Sequence, residues 1–146
     1  MTLDISRGRR VKEGDLVIVV GAGRSGRAAT ELLLRQKARV RLLEKNAGAL
    51  APEELSALKS KGVEVRLGEH SPEDFTGAAF VVPSPGMPVI SLAAYMPSGN
   101  CTAEIIAEME LAWRYLDAEP VIAVTGTSGK TTTASLAASM LQAQGY

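Results

Sequence analysis

Gly126-Thr127-Ser128-Gly129-Lys130-Thr131-Thr132 brings together the residue types that hold a polyphosphate. Glycines leave backbone N–H groups free to face phosphate oxygens. A lysine supplies a point charge to the β- and γ-phosphates, and a hydroxyl beside it reaches the accompanying Mg²⁺. These seven residues form a candidate nucleotide loop. Lys130 and Thr131 are its catalytic candidates, and Thr131 is the metal ligand ahead of Thr132. The strict spacing GxxxxGK[ST] would need glycine at position 124, where Val124 stands, so the loop is a variant.

A second glycine loop lies near the other end of the chain. Gly21-Ala22-Gly23-Arg24-Ser25-Gly26 matches GxGxxG, and Glu44 closes the next apolar run. Glycines at this spacing permit a tight turn and close backbone approach, and the helix that follows offers its positive end to a phosphate. A carboxylate at position 44 can accept hydrogen bonds from a sugar hydroxyl. Taken alone, the motif is compatible with a tight strand-to-helix turn that binds nothing, or with an NAD or FAD site. Two phosphate loops in one chain argue against a lone dehydrogenase. They fit an enzyme that binds one nucleotide-linked substrate and consumes a second nucleotide.

The elements that must position these loops follow from periodicity. Leu16–Val20 (LVIVV) is a continuous apolar run, expected of a strand covered on both faces. Arg27–Gln36 has helical spacing, with Ala28, Ala29, Leu32 and Leu33 on one side. Arg39–Glu44, Val63–Leu67 and Ala78–Val82 read as further strands, and Pro52–Lys61 as a helix opened by proline and closed by Gly62. Alternating strands and helices imply an α/β fold: a Rossmann-like parallel sheet with flanking helices. Pro83 to Asn100 carries four prolines and two glycines, which leaves room for little more than a helical turn at Leu92–Tyr95. Helical periodicity returns over the second half of Glu104–Leu116. Val121–Val124 then reads as a strand leading into the nucleotide loop and a last helix.

The expected division is a substrate-binding domain over residues 1–105 and the start of an ATP-binding domain over 106–146. The second part holds one clear strand, too few for a sheet. It is therefore expected to be the first strand, P-loop and helix of a second α/β domain whose remainder is missing. Its exposed strand could also pair between chains.

Composition narrows the function classes. The chain has 146 residues, 46% of them apolar and 22% charged, with sixteen basic residues balancing sixteen acidic ones. That balance argues against a broad nucleic-acid or membrane surface. No apolar run approaches the roughly 18–20 residues of a membrane-crossing helix, and no secretory signal precedes the first strand. A lone Cys101 cannot make an internal disulfide and is read as buried or incidental, which fits a reducing, cytoplasmic setting. Arg7, Arg9, Arg10 and Lys12 are read as a solvated lead-in.

Several residues invite chemistry and have plainer readings. His70 sits among Glu69, Glu73 and Asp74 and is read as part of a solvated loop rather than an acid/base or metal site. Glu108 and Glu110 are two apart, so on a helix they cannot act as a carboxylate pair. Glu110 is read as a solvated face. Met109, Trp113 and Leu116 are spaced for packing.

Four pieces in order, GAGRSG (21–26), Ser84-Pro85-Gly86, Glu108-Met109-Glu110-Leu111 and TGTSGKTT (125–132), resemble the Mur ligase family of bacterial cell-wall synthesis. The pairing of Ser84-Pro85-Gly86 with a serine-bearing glycine loop favours its D-glutamate-adding branch. The resemblance implies that the first domain holds a UDP-linked muramoyl substrate rather than NAD. Gly23, Arg24, Ser25 and Gly26 would then lie at the diphosphate, Glu44 and Lys45 at the uridine, and Ser84, Pro85 and Gly86 against the nucleotide. It also implies ATP and Mg²⁺ at Gly126–Thr132, and amide formation with D-glutamate through an acyl phosphate. Glu44 stands where an aspartate is usual, and Ser128 where asparagine is commoner. Val89–Ala103 departs from the family pattern. The chain by itself is expected to be catalytically inert. The alternatives are a stand-alone NAD(P)-binding protein and a non-catalytic interaction fragment.

Overall fold

The computed structural model describes residues 8–92, 94–96, 102–116 and 121–146. Cys101, Arg7, Pro97 and Gly99, on which parts of the sequence reading fall, lie outside the described residues. The described chain forms two compact units, Met1–Leu116 and Asp117–Tyr146. That division falls later than the 105/106 boundary expected from the sequence.

In the first unit, five parallel strands stand in the order β3-β2-β1-β4-β5. They are β1 (Leu16–Val20), β2 (Arg39–Glu44), β3 (Glu64–Leu67), β4 (Phe80–Pro83) and β5 (Glu104–Ile105). The central strand explains its own composition. Val17 and Val19 face one apolar cluster with Leu33, Leu42 and Phe80, while Ile18 and Val20 face another with Leu43, Phe75 and Leu92. A strand covered on both faces has no polar side, so alternation gives way to a run of apolar residues.

Helix α1 (Arg24–Arg35) buries Gly26, Ala29, Thr30 and Leu33, an i, i+3, i+4, i+7 stripe. It begins three residues before the expected Arg27, because the last glycine of the loop is itself helical. Helix α2 (Pro52–Ser60) starts at its proline as expected.

The second half of Glu104–Leu116 is helical as expected, and its first two residues are a strand that the sequence did not suggest. Glu104–Ile105 is strand β5, with Phe80 opposite Glu104 and Val81 opposite Ile105. Helix α3 (Glu108–Tyr115) starts only after Ala107, which is extended at φ −64° and ψ 150°. A two-residue strand is too short to show a period, and its pairing with β4 overrides the helical tendency of the segment. Short 3₁₀ turns occupy Pro72–Phe75 and Val89–Leu92, and the second continues into the hydrogen bond from Tyr95 N to Leu92 O at 2.9 Å.

The residues just before β1 are more than a solvated lead-in. Arg114 of α3 is 1% exposed. Its guanidinium donates to Arg9 O, to Glu104 of β5 and to Glu110 one turn back. The Arg9 guanidinium lies 4.3 Å from the Phe80 ring centroid, and the Tyr115 hydroxyl donates to Val11 O at 3.1 Å. Glu110, read as a solvated face, is thus half of a buried arginine's charge balance. Leu111 and Arg114 form the buried side of α3, whereas Met109 is 80% exposed.

In the second unit the expected last helix is α4 (Lys130–Ala143), which starts directly after Gly129. The strand expected at Val121–Val124 is not formed, and this stretch carries no ladder. A strand exists only through hydrogen bonds to a neighbour, and among the described residues no strand pairs with this stretch. Among the described residues no helix is long and apolar enough to cross a membrane.

Candidate functional site

In a 3-2-1-4-5 sheet the order of strands reverses between β1 and β4, and the crevice beyond their carboxyl ends is where such sheets take ligands. Both ends are marked. Val20 of β1 is level with Leu43 of β2 and Pro83 of β4. The chain leaves β1 at Gly21, which has φ +102°, and donates from Gly21 N to Leu43 O at 2.7 Å. It leaves β4 at Ser84, whose N–H donates to Val20 O at 2.8 Å, and turns through the hydrogen bond from Met87 N to Ser84 O. Residues far apart in sequence, Gly21 and Ser84, are thereby adjacent.

The glycines of the first loop do different work. A Cβ on Gly26 would lie 1.9 Å from Gly21 O, so Gly26 lets α1 pack on the end of β1. A Cβ on Gly23 would meet nothing within 4 Å, and Gly23 has an ordinary extended backbone. No internal contact demands glycine there, and the space beside it is open.

Gly23 is the N-cap of α1 and supplies no side-chain cap, and no acidic residue stands in the first turn. The leading N–H groups of a helix lack intrahelical acceptors and carry the positive end of its dipole. Arg24, exposed, and Ser25, half-buried, border this opening.

Ala22, 2% exposed, is held from two sides. Its N–H donates to Glu44 Oε2 at 2.7 Å, and its carbonyl accepts from Arg27 Nε at 2.9 Å. Glu44 Oε1 accepts from Asn46 N at 2.9 Å. The other end of Arg27 pairs with Glu54 of α2. The Ala51 N–H, and then the Arg27 guanidinium, hold the Glu54 carboxyl below the ordinary carboxylate range. In a trans peptide the Gly23 N–H points opposite to the Ala22 carbonyl. By fixing that carbonyl, Arg27 turns the Gly23 N–H away from itself. Sequence reading missed this role, because an arginine one residue past a glycine motif has no signature of its own.

Beyond Ser84 the crevice opens into two cavities. One, of about 500 Å³, is lined by Lys45, His70, Ser84, Gly86, Ser91 and Tyr95, among others. The second, of about 520 Å³, lies between Pro83–Pro85, Met87, Ile105 and the start of α3, where Glu108 and Met109 border it. Pro85 lines only the second, and Ser84 lines both. Lys45 makes an exposed ion pair with Glu69 at 3.0 Å, and that hydrogen bond raises the lysine's pKa. His70 was expected in a solvated loop. Instead it lines the first cavity, 6.0 Å from the Tyr95 ring at 71°. Among the described residues no three potential metal-ligating side chains gather.

The candidate nucleotide loop belongs to the second unit. Gly126 has φ +152° and Gly129 φ +76°, both favouring glycine, and Gly129 is the N-cap of α4 without any side-chain cap. Lys130 Nζ folds back to donate to Gly126 O at 2.7 Å. This places the ammonium beside the loop backbone, while Thr131 and Thr132 occupy the first turn, where N–H groups are free of intrahelical acceptors. Thr127, Ser128 and these threonines are all exposed. The donor set suits a phosphate chain, and a bound anion would displace the carbonyl from the lysine.

A model of the N-terminal domain of MurD-like Mur ligases matches residues 15–106. A UDP-N-acetylmuramoylalanine--D-glutamate ligase from Desulfovibrio desulfuricans is 60% identical over 148 residues, covering 100% of this chain and 34% of that protein. One from Nitratidesulfovibrio vulgaris (strain Miyazaki F) is 57% identical over 145 residues, 99% of this chain and 33% of that protein. The chain spans about a third of the length of these curated relatives. Among solved structures, SirC, a precorrin-2 dehydrogenase, superposes with a TM-score of 0.52 at 16% identity over 92% of this chain and 67% of that one. That likeness is one of fold.

Proposed function

The chain belongs to the MurD-like Mur ligases through its N-terminal domain, and from this we propose that its first unit binds the UDP end of a muramoyl substrate while its second carries the phosphate loop for ATP. The observation that carries the reading is the meeting of GAGRSG and Ser84-Pro85-Gly86 at the β1/β4 switch point, with open space at Gly23. The whole ligase would join D-glutamate to UDP-N-acetylmuramoyl-L-alanine in the cytoplasm, for peptidoglycan synthesis.

In this reading the N–H groups of Gly23, Arg24, Ser25 and Gly26 receive the diphosphate. Arg24 adds charge and Ser25 a hydroxyl. Glu44 and Lys45 border the uridine: each Glu44 oxygen keeps acceptor capacity after its backbone hydrogen bond, and Lys45 can exchange Glu69 for the ligand. Ser84, Pro85 and Gly86 give a flat turn for the nucleotide to rest on.

In the ligation the substrate carboxylate attacks the γ-phosphorus of ATP and ADP leaves. The D-glutamate amine then attacks the acyl carbon and inorganic phosphate leaves. Lys130 and the loop amides Gly126–Thr132 hold the phosphates and offset the charge that builds on the transferring group. Thr131 would hold Mg²⁺, which would supply positive charge to offset that of the phosphates. The D-glutamate site and further metal ligands would be supplied outside these 146 residues.

Thermal denaturation with UDP, NAD and ATP in parallel tests the reading. Stabilisation by UDP is expected. Stabilisation by NAD with no response to UDP would overturn it.

A further inference from the structure

We propose that His70 and Tyr95 form the wall that recognises the base of the bound nucleotide, an inference that rests on the uridine-nucleotide reading above. Their cavity is contiguous with the phosphate loop through one residue. Ser84 lines it and also packs its hydroxyl on Gly21. A ligand whose phosphates lie at the start of α1 can therefore cross Ser84 and place its remaining ring in this space. About 500 Å³ falls within the range of small-ligand sites.

The lining suits a flat heterocycle better than a second phosphate. Lys45 is the one Lys or Arg among the residues lining it, and it is already paired with Glu69. Met87, Pro88 and Leu92 add apolar surface, and a Cβ on Gly86 would meet nothing within 4 Å, leaving room for a ring face to approach the backbone.

The wall itself is braced. Tyr95 stacks on Phe75 with centroids 5.7 Å apart at 14°, and His70 meets Tyr95 edge-on. Phe75 is 1% exposed and anchors the stack in the core. Packed rings of this kind hold their orientation at little entropic cost. Neutral imidazole presents one donor and one acceptor, and the Ser91 hydroxyl presents both. A uracil edge alternates acceptor, donor and acceptor, so these groups can pair with it. A fully ionised phosphate offers acceptors alone and can use only the donor half of these groups.

His70 is the only histidine in the chain, so its ring Hε1 proton gives a single assignable NMR signal. The signal is followed while the intact chain is titrated with UDP and, separately, with inorganic pyrophosphate. UDP should shift it, and pyrophosphate should leave it in place. His70→Ala and Tyr95→Ala should each weaken UDP roughly tenfold and leave pyrophosphate affinity unchanged, and His70→Gln should recover part of the loss. UDP binding with an unmoved His70 signal and unchanged affinity in both variants would overturn the inference and leave the uridine reading standing. A wild-type chain that fails to bind UDP overturns that reading and this inference together. The His70 signal is read in the wild-type chain, so it decides the matter even if a variant folds poorly.

Discussion

The hydroxyl of Ser84 stands over the Cα of Gly21: a Cβ at position 21 would lie 2.0 Å from Ser84 Oγ. This contact joins the ends of β1 and β4 and so defines the floor of the crevice. Gly21 also has φ +102°, which a side chain makes costly. Gly21→Ala should therefore lower stability by about 1–3 kcal/mol from backbone strain, with steric conflict in addition. Adding Ser84→Gly should recover only the steric part, because the strain remains. Chemical denaturation of the single and double variants checks this.

Gly23 and Gly26 should part company on substitution to alanine. At Gly26 the new methyl meets a backbone carbonyl at 1.9 Å and cannot be relieved by a rotamer change, so α1 must shift and the fold should weaken substantially. At Gly23 the methyl meets open space, so stability should stay within about 0.5 kcal/mol. UDP affinity should nevertheless fall in Gly23→Ala, since the methyl enters the space left for the ligand. Melting temperature and titration calorimetry on the two variants separate these outcomes.

The sequence suggested Glu44 as a sugar ligand, and the structure shows it at work inside the fold. Its carboxylate satisfies the buried Ala22 N–H. Glu44→Ala should cost about 1–3 kcal/mol even without ligand, the ordinary penalty for an unpaired buried amide. A residue serving the ligand alone would leave the ligand-free stability unchanged, so denaturation without nucleotide distinguishes the two roles.

What could be read in advance follows from the range over which each signal acts. Leu16–Val20, Arg39–Glu44 and the start of α2 at Pro52 were visible because composition and punctuation are local. Strand β5 was not, since two residues carry no period and its existence depends on β4. The same holds for Val121–Val124, whose strand-like composition is not enough without a partner. Glycine spacing identified both loops but could not assign the work of each glycine, which depends on neighbours such as Ser84. His70 was misread because its polar neighbours in sequence suggested solvent, while its partner in space is Tyr95. Arg114 gave no warning at all: a single arginine on a helix looks exposed until Glu104 and Arg9 are brought to it.

Arg114 links α3, β5 and the residues before β1, and its loss should be felt across the first unit. Arg114→Met should destabilise by about 3 kcal/mol, the low end for breaking a buried pair, because both carboxylates left behind are half-exposed. Arg114 holds the Glu104 carboxyl below its ordinary range, chiefly through its hydrogen bond. A lowered folded-state pKa contributes stability above the unfolded carboxylate range, and that stability is lost as pH falls through the folded value. The gap between wild type and Arg114→Met should therefore be full near neutral pH and narrow on acidification below about pH 4. A gap that stays constant from pH 7 to pH 3 would contradict the assignment. Urea denaturation across that range measures it.

The central claim is that a uridine nucleotide occupies the crevice between the ends of β1 and β4. Its most direct test is mapping of backbone amide NMR shifts as UDP is added to the isotope-labelled chain. The predicted result is saturable shifts concentrated at Gly23–Gly26 and Ser84–Gly86, with His70 moving in step. Shifts produced by NAD but not by UDP, or UDP shifts confined to residues away from these two loops, would contradict it.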